Sequence, residues 1–267
     1  MGTGENGTAA GPEGSGTPET PGQLLGSGRD ADVYAYARAS DDTGRATVAA
    51  AEPGDDTGGG AGGGWVLRRY RDGQDARCEA AVMAYLRDRG YPVPELWPPG
   101  AGGPVRPSDL VMRRLAGPTL AASLIAGETS AVTAGAMLAR LLRRLHEVPS
   151  RLGGGRILHL DLHPENVILT ADGPVVIDWS TSDEGEPGRD RAMSALILAQ
   201  VAVGDVPVPR EAVRAVLAEL LVHAPVSRET LAWARGRRWA NPTMSAAELG
   251  QLDDAVALVR ESGPAAG

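Results

Sequence analysis

The sequence predicts an α+β fold in two lobes, a small antiparallel sheet followed by a mostly helical body. Three observations carry this prediction. Short runs of branched and aromatic residues, around Val33–Tyr36, Trp65–Tyr70 and Asp109–Met112, mark strands in the first part of the chain. From Ser130 onward apolar residues recur at helical spacing, interrupted by one hairpin signal. Strands gathered at the front and helices at the back fit two adjoining lobes better than alternating βαβ units.

The elements follow in order. Residues 1–22 are Gly, Thr, Glu and Pro with no apolar stretch, and read as a disordered tail. An N-terminal lobe is expected over 23–114, beginning with the glycine-rich turn Gly26-Ser27-Gly28 and the strand Val33-Tyr34-Ala35-Tyr36. Residues 40–64 end in GGGAGGG, cannot hold a strand or helix interior, and read as a flexible insertion. Trp65–Tyr70 is the next strand, and Asp75–Arg89 a helix with Ala81, Val82, Tyr85 and Leu86 on its apolar stripe. Gly117-Pro118 then breaks the chain near the start of a C-terminal lobe expected over 115–262. Ser130–Val148 is a helix carrying Leu138, Leu141, Leu142 and Leu145. Val167-Ile168-Leu169 and Val175-Val176-Ile177 flank the turn Ala171-Asp172-Gly173 as a hairpin. Helices are expected over 190–203, 209–223, 228–239 and 245–261.

Composition narrows the function. The chain has 267 residues, a net charge of −8 and 26 basic residues, every one of them Arg. With no Lys, the lysine of a P-loop cannot be supplied. An acidic balance argues against wholesale binding to a nucleic-acid backbone, which needs clustered positive charge. One Cys excludes a disulfide framework and a Cys-rich zinc site. The longest nearly apolar run, Ala192–Val203, is shorter than the roughly 20 residues that span a bilayer, and no signal peptide is visible. A soluble, cytoplasmic protein is expected.

The informative segment is His159-Leu160-Asp161-Leu162-His163-Pro164-Glu165-Asn166, followed by the hairpin and then Ile177-Asp178-Trp179. Phosphoryl transfer needs one carboxylate to orient or accept the proton of an attacking hydroxyl, and hard oxygen ligands to hold a divalent cation against the phosphates. Asp161, Asn166 and Asp178 supply that set, and the hairpin lets Asn166 and Asp178 face one pocket. Each alone is more often a turn former or helix cap; the spacing makes coincidence the weaker explanation. His159, Asp161 and His163 could instead ligate zinc, although no further ligand cluster accompanies them.

The N-terminal half agrees. Gly26-Ser27-Gly28-Arg29-Asp30-Ala31-Asp32-Val33 fits G-x-G-x-x-G-x-V with Ala31 at the third glycine, a turn whose bare backbone can approach phosphates. Arg68 stands on the following strand where such a site needs a cation, and Glu79 on the next helix is its natural partner. Otherwise Arg68, Arg69 and Arg71 protect a strand edge, and Glu79 belongs to a solvated helix face.

Taken together these motifs resemble the aminoglycoside phosphotransferase family, whose members have a protein-kinase-like two-lobe fold. HLDLHPEN is similar to its H-x-D-x-x-x-x-N loop, IDWS to the counterpart of D-F-G, and LVMRRLAGPTL to its hinge; the resemblance runs from about Leu24 to Val203. It implies that Asp161 is the catalytic base and that Asn166 and Asp178 bind Mg²⁺. It implies that Gly26, Ser27, Gly28, Arg68 and Glu79 serve the phosphates. Val33, Val66, Ile168 and Ile177 would sandwich adenine, with Met112 behind it and the backbone of Arg113 and Leu115 at its edge. Asp190 would anchor the catalytic loop. Two departures stand out: Arg68 replaces the family's Lys, a planar fork in place of a point charge, and Ala31 replaces a glycine.

The implied activity is transfer of the γ-phosphoryl of ATP, with GTP as the alternative, to a hydroxyl of a small molecule. Asp183, Glu184 and Glu186 could attract a cationic acceptor, but an ordinary acidic surface loop is the simpler reading. Trp233, Trp239 and the Asn241-Pro242 turn are candidates for the acceptor cleft, with helix packing the commoner role. A nucleotide-binding regulatory protein with impaired turnover is the competing interpretation, motivated by Arg68. A protein kinase is less favoured, because no extended activation segment separates Asp178 from Asp190.

Overall fold

The computed structural model describes residues 21–36, 64–98, 106–151 and 153–263. The tail predicted for 1–22 and the insertion predicted for 40–64 fall almost wholly outside them. The first lobe is a four-stranded antiparallel meander of β1 (Leu24–Ser27), β2 (Ala31–Tyr36), β3 (Trp65–Tyr70) and β4 (Asp109–Arg113), with α1 (Arg77–Arg87) inserted before the last strand. In β3 the alternation places Val66 and Arg68 opposite Met112 and Leu110. One sheet face carries a small cluster of Tyr36, Leu67 and Val111 with Trp65 and Trp97; the other joins the main core.

α1 differs from its predicted stripe. Its buried residues are Glu79, Val82, Met83 and Leu86, while Ala81 is exposed. Shifting the buried face toward the Glu79 turn brings a carboxylate inside, so Glu79 is no solvated residue.

The second lobe contains α2 (Leu120–Ile125), α3 (Ala131–Leu145), β5 (Arg156–Leu158), the 3-10 turn Pro164–Asn166, β6 (Val167–Thr170), β7 (Gly173–Val176), β8 (Asp183–Gly185), α4 (Pro187–Val203), α5 (Arg210–His223), α6 (Arg228–Trp239), α7 (Ala246–Gly250) and α8 (Leu252–Ser262). β6 and β7 form the predicted hairpin, closing at Thr170 opposite Gly173. α4 is buried along almost its whole length and is surrounded by α5, α6 and α8, as an all-round apolar helix must be. Caps start three helices where the sequence has hydroxyls: Ser130, Ser227 and Ser245 each accept the N–H three residues on. The helix expected over 245–261 is interrupted at Gln251. Gly135 lets α3 and α5 touch; a Cβ there would lie 2.6 Å from the Val216 carbonyl oxygen. Among the described residues, no helix is long and apolar enough to cross a membrane.

Candidate active site

A cleft of about 1410 Å³ runs between the sheet and the helices. Its sheet side is lined by Gly28, Val33, Val66, Arg68 and Met112, its floor by Asp161, Asn166, Ile168, Ile177 and Asp178, and its joint by Arg113 and Leu115. Most of the residues expected at the site therefore share one cavity. Gly26 and Ser27 are exposed at the end of β1 and do not line it. Glu79 stands behind Arg68 and acts through it.

The loop carrying Asp161 is held from below by one carboxylate. Asp190, near the start of α4, is completely buried; it accepts the backbone N–H of His159 (3.0 Å) and of Leu160 (2.7 Å) and a hydrogen bond from His146 (2.9 Å). Burial alone would push the Asp190 carboxyl up, but these donors hold it below the usual carboxylate value. Leu160 adopts φ 64°, a left-handed conformation uncommon for Leu, and the bond to Asp190 fixes it. His159 is also fully buried: its Nε2 donates to the Ile177 carbonyl (3.0 Å) and its Nδ1 accepts the Asp161 N–H (3.2 Å). Both ring nitrogens are thus committed, which removes His159 as a zinc ligand. Among the described residues no group of three His, Cys, Asp or Glu side chains could hold a metal ion.

Asn166 ends the 3-10 turn and reaches back across the loop. Its Nδ2 donates to the Asp161 carbonyl (2.9 Å) and approaches Asp161 Oδ2 (3.4 Å) and His163 Nε2 (3.3 Å). Directly after β7, Asp178 stands at φ 64°, and its Oδ1 accepts from Arg68 Nη2 (2.6 Å) and from the Ser180 hydroxyl (2.8 Å). Burial would raise the Asp178 carboxyl, but Arg68 and Ser180 together hold it below its ordinary value. Among the described residues Asn166 Oδ1 and Asp178 Oδ2 have no hydrogen-bond partner. One amide oxygen and one carboxylate suit Mg²⁺, which usually takes few protein ligands and completes its shell with water and phosphate oxygens.

Arg68 uses its fork twice. Nη1 donates to Glu79 Oε1 (3.0 Å) while Nη2 donates to Asp178, tying α1 to the loop after β7. Glu79 also accepts from the Tyr70 hydroxyl and from the Trp179 N–H (3.0 Å). Burial pushes the Glu79 carboxyl up despite these three donors. A lysine ammonium could not reach both carboxylates with separate nitrogens in this way.

The sequence reading missed two arginines at the glycine-rich turn. Arg71, past the end of β3, donates to the Gly28 carbonyl (2.7 Å), the Arg29 carbonyl (3.1 Å), Ser27 (2.8 Å) and Asp32 (2.7 Å), pinning the turn from one side. Arg71, with Ser27, lowers the Asp32 carboxyl to about 2. Arg29 crosses the cleft to Glu248 (3.2 Å) and the Thr243 carbonyl (3.4 Å), joining the turn to α7 and the segment before it. Only the folded chain brings these positions together, so no local pattern signals them. At the joint, the Arg113 N–H is donated to the Glu95 carbonyl (2.7 Å), so the backbone donor at that position is already engaged.

The other candidates fall elsewhere. Asp183 faces Arg237 (3.8 Å) and Glu184 pairs with Arg151 (2.9 Å), and Asp183, Glu184 and Glu186 do not line the cleft. Asn241 does line it, Trp233 packs on the core beneath Arg189 and Arg237, and Trp239 is exposed.

Comparison with known proteins agrees with this geometry. A family model described as a phosphotransferase enzyme family (APH) matches residues 56–155 and 151–239. Among solved structures, the gentamicin–APH(2")-IIa complex matches at TM-score 0.51 and 12% identity, over 88% of this chain and 90% of the other. Amicoumacin kinase hAmiN, solved with AMP-PNP, Ca²⁺ and Ami, matches at TM-score 0.45 and 13% identity, over 91% and 88% of the two chains. An aminoglycoside-3'-phosphotransferase of type VIII matches at TM-score 0.39 and 17% identity, over 75% and 90%. No curated protein sequence matches the chain. With a small antiparallel sheet, a helical body and a family match across most of its length, the chain is a protein-kinase-like member of the phosphotransferase enzyme family.

Proposed function

We propose that the protein transfers the γ-phosphoryl group of ATP to a hydroxyl of a small molecule. The observation that carries this reading is the meeting of Asp161, Asn166, Asp178 and Arg68 in one cleft, with a glycine-rich turn over it. Adenine would lie between Val33 and Val66 above and Ile168 and Ile177 below, with Met112 at the back. Asp161 is half-buried on a loop clamped by Asp190, so its carboxylate is positioned to accept the acceptor's proton. As the acceptor oxygen bonds to the γ-phosphorus, the bond to the bridging oxygen of ADP breaks, the proton passes to Asp161, and ADP leaves. Mg²⁺ held by Asn166 and Asp178 would neutralise charge on the phosphates. Arg68 faces that position from the sheet with a permanent positive charge.

The test is phosphoryl transfer from Mg-ATP to a panel of hydroxylated metabolites and aminoglycosides. Wild-type protein is expected to phosphorylate at least one, and Asp161→Asn to lower the rate by about 10²–10⁴-fold while retaining nucleotide. Full activity in Asp161→Asn removes the proposed base. Nucleotide binding with no transfer in wild type, and a rate gained on Arg68→Lys, would instead support the regulatory reading.

A further inference from the structure

The far end of the cleft holds a cation that the phosphoryl chemistry above does not use. Arg238, in the last turn of α6, lines the cavity and is half-buried. Its Nε donates to Gln200 Oε1 (2.6 Å), and Gln200 Nε2 in turn donates to the Glu248 carbonyl (3.2 Å). This bond orients the guanidinium and explains the polar residue inside the apolar run of α4. Among the described residues the two Nη atoms have neither hydrogen-bond partner nor ion pair. Its neighbours differ: Arg237 faces Asp183 (3.8 Å) and Arg29 is matched by Glu248 (3.2 Å). Burial lowers the Arg238 pKa, and the charges that oppose this include Asp161 and Glu248. A partly desolvated guanidinium with its Nε already bonded presents the paired N–H groups that fit a carboxylate or phosphate.

We propose that Arg238 is a specificity residue which binds an anionic group, carboxylate or phosphate monoester, on the molecule whose hydroxyl faces Asp161. The acceptor is thus a small hydroxylated anion. This inference rests on the phosphotransferase reading. Arg238 comes from α6, whereas the cation facing Asp178 is Arg68 from the sheet, so the two arginines serve different groups. Of the acidic loop that would favour a cationic acceptor, Asp183 and Glu184 lie off the cleft and face Arg237 and Arg151, while Glu165 and Asp205 do line the cleft and make gentamicin the necessary counter-probe.

The test is calorimetric binding to the full chain saturated with AMP-PNP and Mg²⁺, using matched probes: glycerate against glycerol, glucose 6-phosphate against glucose, and gentamicin as a cation. At least one anion is expected to bind about tenfold or more tightly than its neutral partner, the worth of a charge-assisted bidentate contact. Which pair shows the preference separates carboxylate from phosphate. In Arg238→Gln the ratio should fall to within about threefold, and Arg238→Lys should restore part of it, with AMP-PNP affinity and melting temperature unchanged. Equal affinity for anion and neutral partner overturns the proposal. So does tight gentamicin binding, the absence of binding by any anion, or a loss confined to AMP-PNP in Arg238→Gln. If wild type fails to bind AMP-PNP at all, the phosphotransferase reading falls first, and that result is visible before any acceptor is added.

Discussion

Replacing Arg68 with Met removes the only cation bonded to both Glu79 and Asp178 among the described residues, and the structure says which carboxylate suffers. The Asp178 side chain is 35% exposed, so solvent screens it once its partner is gone. Glu79 is 4% exposed and keeps only the Tyr70 hydroxyl and the Trp179 N–H, neither of them charged. Breaking a buried pair in this way costs about 3–5 kcal/mol. Glu79 can escape part of that cost by taking a proton. From an ordinary glutamate value of about 4.3, protonation at pH 7 costs about 3.7 kcal/mol, which sets a ceiling on the loss. At pH 5.5 the same ceiling falls to about 1.6 kcal/mol. Urea unfolding of wild type and Arg68→Met at both pH values reads this directly. The expected result is a destabilisation of about 3–4 kcal/mol at pH 7 that shrinks by half or more at pH 5.5, and that Glu79→Gln largely removes in the double variant. A loss independent of pH, or no loss at all, would refute the claim that a buried Glu79 charge depends on Arg68.

Three further outcomes follow from named contacts. Gly117 sits at φ 139° with the Leu169 carbonyl oxygen 2.0 Å from where a Cβ would stand, so Gly117→Ala should destabilise by about 1–3 kcal/mol in urea; an unchanged midpoint would contradict that packing. His159 is buried with its pKa lowered from 6.5, so the unfolded chain binds the proton more readily than the folded one. Stability should therefore fall by up to about 1.4 kcal/mol per pH unit below about pH 6.5, with a shallower slope in His159→Gln; equal slopes would count against it. The Arg29–Glu248 pair is 54% and 33% exposed and worth at most about 1 kcal/mol. Arg29→Ala should raise the nucleotide KM by no more than about fivefold and leave kcat intact, an effect that vanishes in about 1 M salt; a fall in kcat alone would be inconsistent with a closing contact.

The parts of the fold visible in the sequence were those built from neighbours in the chain. The β6–β7 hairpin needs only two apolar runs and a turn, and the six residues from Asp161 to Asn166 make one loop. The fold also shows short strands that carry too few residues for a pattern: β5 and β8 pair across the whole hairpin, Arg156 opposite Gly185. α2 was hidden by its length, since six residues make less than two turns. At the site, Arg68 and Glu79 could be matched by type and spacing, but the second bond from Arg68 to Asp178 spans 110 positions. Arg71 read as a strand-edge charge because two of its targets are backbone carbonyls, which every residue has, and the other two, Ser27 and Asp32, lie 44 and 39 positions away. Arg238 matches no local motif, and only the packing of α6 on α4 sets it beside Gln200 and the cleft.

The most direct measurement is a calorimetric titration of AMP-PNP into the wild-type chain and into Asp178→Asn, each with and without Mg²⁺. The structure predicts binding to wild type that Mg²⁺ strengthens by about tenfold or more, with the strengthening lost in Asp178→Asn. An affinity that ignores Mg²⁺, or a Mg²⁺ effect that survives in Asp178→Asn, would contradict the placing of the ion between Asn166 and Asp178.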